Sequence, residues 1–159
     1  MMSLAIGSLA PDFSVPNHEN KIRTLADYAG RYLILYFYPK DDTPGCTREA
    51  IGFTELVNAL ADKQAVVVGV SCDSVTSHQK FRDKHGLTIE LLSDELKTVC
   101  EAYDVWQEKK NYGKTYMGIV RSTVLIDFNG VVQKIWKSVK VDGHPDAVYQ
   151  AINLIKRDA

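Results

Sequence analysis

The chain has 159 residues, 45% of them hydrophobic and 25% charged, with a formal net charge of −1. That length fits one domain, expected here over residues 1–159, with a core large enough to need neither disulfides nor a structural metal. The balanced charge gives no reason to expect nucleic acid, the longest apolar run (Tyr32 to Tyr38) is too short for a membrane span, and Met1-Met2-Ser3-Leu4 does not open an export signal.

Phe13-Ser14-Val15 reads as a short extended segment; the turn formers Pro16 to Asn20 then lead to Ile22-Arg23-Thr24, which predicts a hairpin. Tyr32 to Tyr38 is uniformly apolar or aromatic, as a strand covered on both faces should be. Pro39 ends it, and Asp41 to Gly45 form a loop. A helix is predicted from about Cys46 to Leu60, with Ala50, Phe53, Val57 and Leu60 at helical spacing. Ala65 to Val70 is a second buried strand, Val75 to Lys84 a helix, and Ile89 to Leu92 a short strand. Ser93 or Asp94 can cap a further helix reaching about Tyr103. Asp104 to Gly118 shows no regular pattern. Val120 to Phe128 and Val131 to Trp136 read as strands joined by a tight turn at Asn129-Gly130, and a last helix runs from near Pro145 to about Ile155. This order predicts an α/β protein of thioredoxin-like fold, a mixed central sheet with helices on both faces.

In such sheets reactive groups gather where the carboxyl end of a strand meets the next helix. Pro39 to Glu49 is that junction, and Cys46 falls in the first helical turn. The unpaired N–H groups and the positive dipole end there favour an anion, and they favour the thiolate form of cysteines placed there. Activation of this kind does not make a fast enzyme, because a more acidic thiol is also a weaker nucleophile. Donors must stabilise the charge that moves onto the substrate. Thr43 and the N–H groups around Gly45 and Cys46 are candidates, and Cys46 shares the buried stripe of Ala50 and Phe53. A lone cysteine at such a position is more often a small core residue; the preceding Thr43-Pro44-Gly45 turns the balance toward chemistry.

Phe37-Tyr38-Pro39-Lys40-Asp41-Asp42-Thr43-Pro44-Gly45-Cys46-Thr47-Arg48-Glu49 resembles the active-site signature of the peroxiredoxins, closest to the bacterioferritin-comigratory-protein or peroxiredoxin Q branch. Pro39, Thr43 and Cys46 meet the family's Pro-x-x-x-Thr-x-x-Cys core. Gly7-x-x-Ala10-Pro11-Asp12-Phe13, Gly69-Val70-Ser71-x-Asp73-Ser74 and Tyr116 to Thr123 extend the resemblance over nearly the whole chain. It implies an antioxidant oxidoreductase: a thiol-dependent peroxidase that reduces hydrogen peroxide and organic hydroperoxides. Cys46 is then the peroxidatic cysteine that becomes a sulfenic acid. The resemblance further implies that Arg121 supports the thiolate and orients the peroxide, and that Thr43 hydrogen-bonds it. Pro39 would shield the sulfur, and Glu49 would hold the arginine. No cofactor is expected, and no metal, since the Cys and His residues do not fall at usual ligand spacings. Three cysteines without a visible export signal suggest a reducing, cytoplasmic setting. The resemblance implies a monomer and a thiol reductant such as thioredoxin or glutaredoxin/glutathione.

The pattern breaks at one point. Many members of this branch carry a resolving cysteine five residues after the peroxidatic one, and here that residue is Ile51. Cys100 lies with Leu96, Val99 and Tyr103 on a helical core stripe, and Cys72 ends the second strand as a small packing residue. The expectation is a one-cysteine mechanism with an external thiol; an internal disulfide to Cys72 or Cys100 is the alternative. A dithiol exchange protein would show Cys-x-x-Cys, but Glu49 stands three residues after Cys46. A cysteine hydrolase would need a histidine base, and none of His18, His78, His85 and His144 lies in a recognisable catalytic segment. A holdase or interaction protein on the same scaffold is the non-enzyme alternative. Tyr103, Trp106, Tyr112 and Tyr116 cluster in the segment without regular pattern, where the options are a wall of the active site, a self-association patch or, more often, simple packing of a long loop.

Overall fold

The computed structural model describes residues 4–158. Met1 to Ser3, on which the reading of no export signal partly rests, lie outside the described residues. The chain opens with an antiparallel hairpin of β1 (Ser14–Pro16) and β2 (Ile22–Thr24), then a 3-10 turn at Leu25–Tyr28. β3 (Tyr32–Phe37), α1 (Pro44–Asp62), β4 (Ala65–Ser71), α2 (Val75–His85) and β5 (Glu90–Ser93) follow in strict alternation. After α3 (Thr98–Ala102) come a hairpin of β6 (Trp106–Asn111) and β7 (Lys114–Ile119), then β8 (Ser122–Ile126), β9 (Val132–Trp136) and α4 (His144–Asp158). Among the described residues no helix is long and apolar enough to cross a membrane.

The central sheet has the order β5-β4-β3-β8-β9, with β3, β4 and β5 parallel and β8 and β9 antiparallel to their neighbours. β3 explains why its sequence carries no polar face. Leu33, Leu35 and Phe37 pack into one core with Tyr103 and Val124, while Ile34, Tyr36 and Tyr38 pack into the other with Phe53 and Leu125. The period of two along a strand thus feeds two separate cores. Ala50, Phe53 and Leu60 of α1 are fully buried against the second, together with Val148 and Ile152 of α4. Burial of one such large side chain is worth about 1.5–3 kcal/mol. The first core is closed by Phe13, Val15, Tyr28 and, from α3, Val99 and Cys100. Gly69 in β4 makes room for the packing of the second core, since a Cβ there would lie 2.9 Å from the Tyr36 ring and from Leu91.

Three expectations need correction. Residues 104–118 are not irregular: β6 and β7 pair in register from Trp106↔Ile119 to Asn111↔Lys114. Most of both strands is exposed and polar, so there was no alternation to read. The readable signal was the turn, where Tyr112 and Gly113 both take positive φ, as a two-residue hairpin loop demands. Second, α3 is only five residues long, and Leu96 lies before it, 84% exposed rather than on the core stripe. Lys97 adopts a left-handed conformation and breaks the helical phase there. Third, the four aromatics do not form one patch: Tyr103 is buried and donates to the Pro11 carbonyl at 2.6 Å, while Tyr112 is almost fully exposed.

Candidate active site

α1 begins two residues earlier than the apolar stripe implies. Thr43 is its N-cap residue and Pro44 occupies the first turn, where a missing N–H costs nothing. Cys46 is therefore the third helical residue, and its amide precedes the first intrahelical bond, from Thr47 N–H to the Thr43 carbonyl. Its side chain is 1% exposed, within the core shared by Tyr36, Tyr38 and Phe53.

The sheet brings Arg121 to this helix end. β8 runs antiparallel to β3 with Ser122 opposite Phe37, so the residue before β8 lies beside the carboxyl end of β3. The Arg121 carbonyl accepts from Val139 N–H at 2.9 Å, which fixes its backbone. The guanidinium then reaches two partners. Nη2 donates to Cys46 Sγ at 3.4 Å, and Nη1 donates to Glu49 Oε1 at 2.7 Å. Cys46 and Glu49 stand three residues apart on one face of α1, the spacing at which side chains are neighbours. Gly45 allows the approach, because a Cβ there would sit 3.3 Å from Arg121 Nη2.

Burial shapes the charges. Glu49 is fully buried, and desolvation pushes its carboxyl up to about 7 against the opposing pull of Arg121. Its second oxygen, Oε2, has no protein partner among the described residues. Burial works against the Arg121 charge, but Glu49 and then Cys46 outweigh it and raise its pKa. Behind the site, His144 is held at about 4 by burial and then by Arg121. Its Nε2 is 2.8 Å from Thr123 Oγ1, and its ring meets Phe53 and Trp136 edge to face.

Thr43 Oγ1 donates to the Lys40 carbonyl at 2.9 Å, not to a helical N–H. Its single proton is thereby committed, while its oxygen can still accept. Pro39 is exposed at the strand end. Ile51 is half-buried against the same core as Cys46.

Sequence reading did not find the network that holds the loop. Tyr38 Oη donates to Asp41 Oδ1 at 2.5 Å, Ser77 Oγ donates to Asp41 Oδ2 at 2.9 Å, and His78 Nδ1 lies 2.7 Å from the same oxygen. Asp41 N–H donates to Asp73 Oδ2 at 2.8 Å, which also accepts from Ser71 Oγ. Asp42 takes positive φ and is held from outside by Lys84 and His85. The Ser71-x-Asp73 pair was visible as part of the resemblance, without a role; the geometry makes it an anchor for residues 40–43. Asp41, Asp73 and His78 offer donor atoms within 4.8 Å of one another. Their mutual hydrogen bonds already account for this closeness.

The other two cysteines stand apart. Cys100 and Cys72 belong to the first core, on the face of the sheet opposite Cys46. A separate hollow of about 360 Å³, lined by Leu9, Leu25, Tyr28, Leu33 and Phe128, contains no cysteine or histidine. The α1 terminus is where a cysteine, an arginine and a buried carboxylate meet.

Comparison with known proteins shows the family. The model of the AhpC/TSA family matches residues 6–135. The chain is 47% identical to peroxiredoxin Bcp of Bacillus subtilis over 155 residues, 98% of this chain and 97% of that one. It is 38% identical to peroxiredoxin Bcp of Escherichia coli over the full length of both. A structure of the Xanthomonas campestris bacterioferritin comigratory protein, studied for its alkyl peroxide reduction activity, superposes with a TM-score of 0.86 at 42% identity, covering 89% of this chain and 90% of that one. With its thioredoxin-like fold, the chain belongs to the AhpC/TSA family as a peroxiredoxin of the Bcp, or peroxiredoxin Q, type, a thiol-dependent peroxidase.

Proposed function

We propose that Cys46 attacks hydrogen peroxide and small organic hydroperoxides and that an external thiol completes the cycle. The observation that carries this reading is the single guanidinium bridging Cys46 Sγ and Glu49 at the amino end of α1. In the first step the thiolate attacks one peroxide oxygen, the O–O bond breaks, and the leaving alkoxide takes a proton. The products are a sulfenic acid and an alcohol, or water. Arg121 carries N–H donors beyond the one aimed at sulfur, which suit the negative charge that grows on the leaving oxygen. Thr43, its proton already given to Lys40, is suited to accept the peroxide O–H. Glu49 orients the guanidinium from the buried side. A shielding role for Pro39 rests on the resemblance.

Two thiols then reduce the sulfenic acid, releasing water and a disulfide. Support for an outside source, such as thioredoxin or glutaredoxin/glutathione, is geometric: Cys72 and Cys100 lie in the opposite core, and Ile51 holds the position five residues on. The reading includes a single domain over residues 1–159, a monomer and a reducing cytoplasmic setting, consistent with three free cysteines. The alkyl peroxide activity studied in the Xanthomonas protein supports organic hydroperoxides as substrates.

Purified protein with a thiol reductant should consume peroxide, and Cys46→Ser should abolish this. Retained turnover in that variant refutes the reading, and a parent protein that shows no thiol-dependent loss of peroxide favours a holdase-type scaffold. After one equivalent of peroxide, intact mass should show one added oxygen trapped at Cys46, and a Cys46–Cys72 or Cys46–Cys100 peptide would overturn the one-cysteine cycle.

A further inference from the structure

The two remaining cysteines are themselves neighbours. The sulfurs of Cys72 and Cys100 and a carboxylate oxygen of Asp94 all lie within 4.8 Å of one another. Three local features build this arrangement. β4 and β5 pair Ser71 with Ser93, and Asp94 N–H donates to the Ser71 carbonyl at 2.8 Å. That contact ties the residue before Cys72 to the residue after β5. The Asp94 carboxylate then holds the start of α3: Oδ1 accepts from Val99 N–H at 3.1 Å and from Thr98 Oγ1 at 3.3 Å, and Oδ2 accepts from Cys100 N–H at 2.8 Å. One aspartate thus fixes the backbone on both sides of the thiol pair. Because its oxygens are engaged by these donors, the cluster is better suited to sulfur chemistry than to metal binding.

The two thiols are unequal. Cys72 is half-buried, and its thiol is held below the ordinary value chiefly by a hydrogen bond from Cys100. Cys100 is fully buried, and its thiol is pushed up by that same bond and by desolvation. One cysteine thus stands half-buried at the edge of the core, and the other is enclosed beside it within reach. A disulfide needs a sulfur separation of about 2.05 Å, so closure requires a shift of under about 3 Å between two side chains.

We propose that Cys72 and Cys100 form a second redox centre, closing to an intramolecular disulfide on the sheet face opposite Cys46. A hydroperoxide, the oxidant class on which this enzyme acts, supplies the oxidising equivalents. The Cys72 thiolate attacks a peroxide oxygen; the O–O bond breaks, the leaving oxygen takes a proton, and Cys72 becomes a sulfenic acid. Cys100 sulfur then attacks Cys72 sulfur; the S–S bond forms, and the hydroxyl leaves as water with the Cys100 proton. Two electrons pass from the sulfur pair to one peroxide.

The full-length Cys46→Ser protein tests this, because the first centre is then silent and the outcome does not depend on the peroxidase reading. Hydrogen peroxide should remove two hydrogens from the intact mass. Maleimide-reactive thiols in the denatured protein should fall from two per chain to none, and a reductant should restore them. Peptide mapping should recover Cys72 joined to Cys100. In the Cys46→Ser/Cys72→Ser protein, still folded by circular dichroism, Cys100 should stay a free thiol under the same treatment. The proposal is overturned if both thiols stay free, if Cys72 accumulates as a sulfinic acid, if it links two chains, or if Cys100 oxidises alone.

Discussion

Replacing Glu49 by glutamine (E49Q) keeps the size of the side chain and removes one titration from the buried site. Burial raises the Glu49 carboxyl from 4.5 to about 7 in the fold. A carboxyl raised in this way binds its proton more tightly folded than unfolded. Its contribution to stability is fully present below pH 4.5 and is lost as pH rises through 7. At about 1.4 kcal/mol for each pH unit of separation, the loss is about 3 kcal/mol. His144 acts in the opposite sense. Its value falls from 6.5 to about 4, so its contribution is present above pH 6.5 and is lost as pH falls through 4. Between pH 4.5 and 6.5 the two slopes oppose each other at roughly 1 kcal/mol per pH unit, and together these sites leave stability nearly level. E49Q uncovers the His144 slope: the variant should lose stability on acidification at about 1 kcal/mol per pH unit relative to the parent. Urea unfolding of both proteins across that window measures the difference directly, and all other titrating groups cancel in it. Parallel stability profiles would show that Glu49 does not hold its proton in the fold and would refute the reasoning.

Arg121→Ala should slow iodoacetamide alkylation of Cys46 at neutral pH by roughly 10- to 100-fold, the scale of one charge-assisted hydrogen bond; an unchanged rate and pH profile would remove Arg121 from the site. Gly69→Ala should cost about 1–3 kcal/mol by overpacking against Tyr36 and Leu91, which a urea midpoint at unchanged m-value would report; a neutral midpoint would mean the sheet yields there. Tyr38→Phe deletes only the hydroxyl that donates to Asp41. It should cost about 1.5–3 kcal/mol and slow peroxide turnover through a looser 40–43 loop, whereas full activity at full stability would deny the loop network any role.

What could be read from the sequence was whatever a local pattern encodes. The all-apolar run of β3 announced a strand buried on both faces, and Thr43-Pro44-Gly45-Cys46 announced a helix start with a thiol in its first turn. Glu49 and Arg121 were legible only through resemblance, because their contact depends on β8 pairing with β3. The Tyr38–Asp41–His78 network escaped for the same reason: Asp41 and His78 are 37 residues apart and meet only after α2 docks. The β6–β7 hairpin was missed because polar, exposed strands carry no burial signal. Leu96 misled through its spacing, which matched a helix that the left-handed Lys97 prevents from starting.

Cys46 and Arg121 are separated by 75 residues of chain, and that separation gives synthesis an order of events. The segment that makes α1 leaves the ribosome well before the segment that makes β8. Until β8 adds to β3, Cys46 lacks its guanidinium partner. The contact between sulfur and guanidinium therefore comes into being only with the completed sheet, and a nascent or partly unfolded chain lacks it.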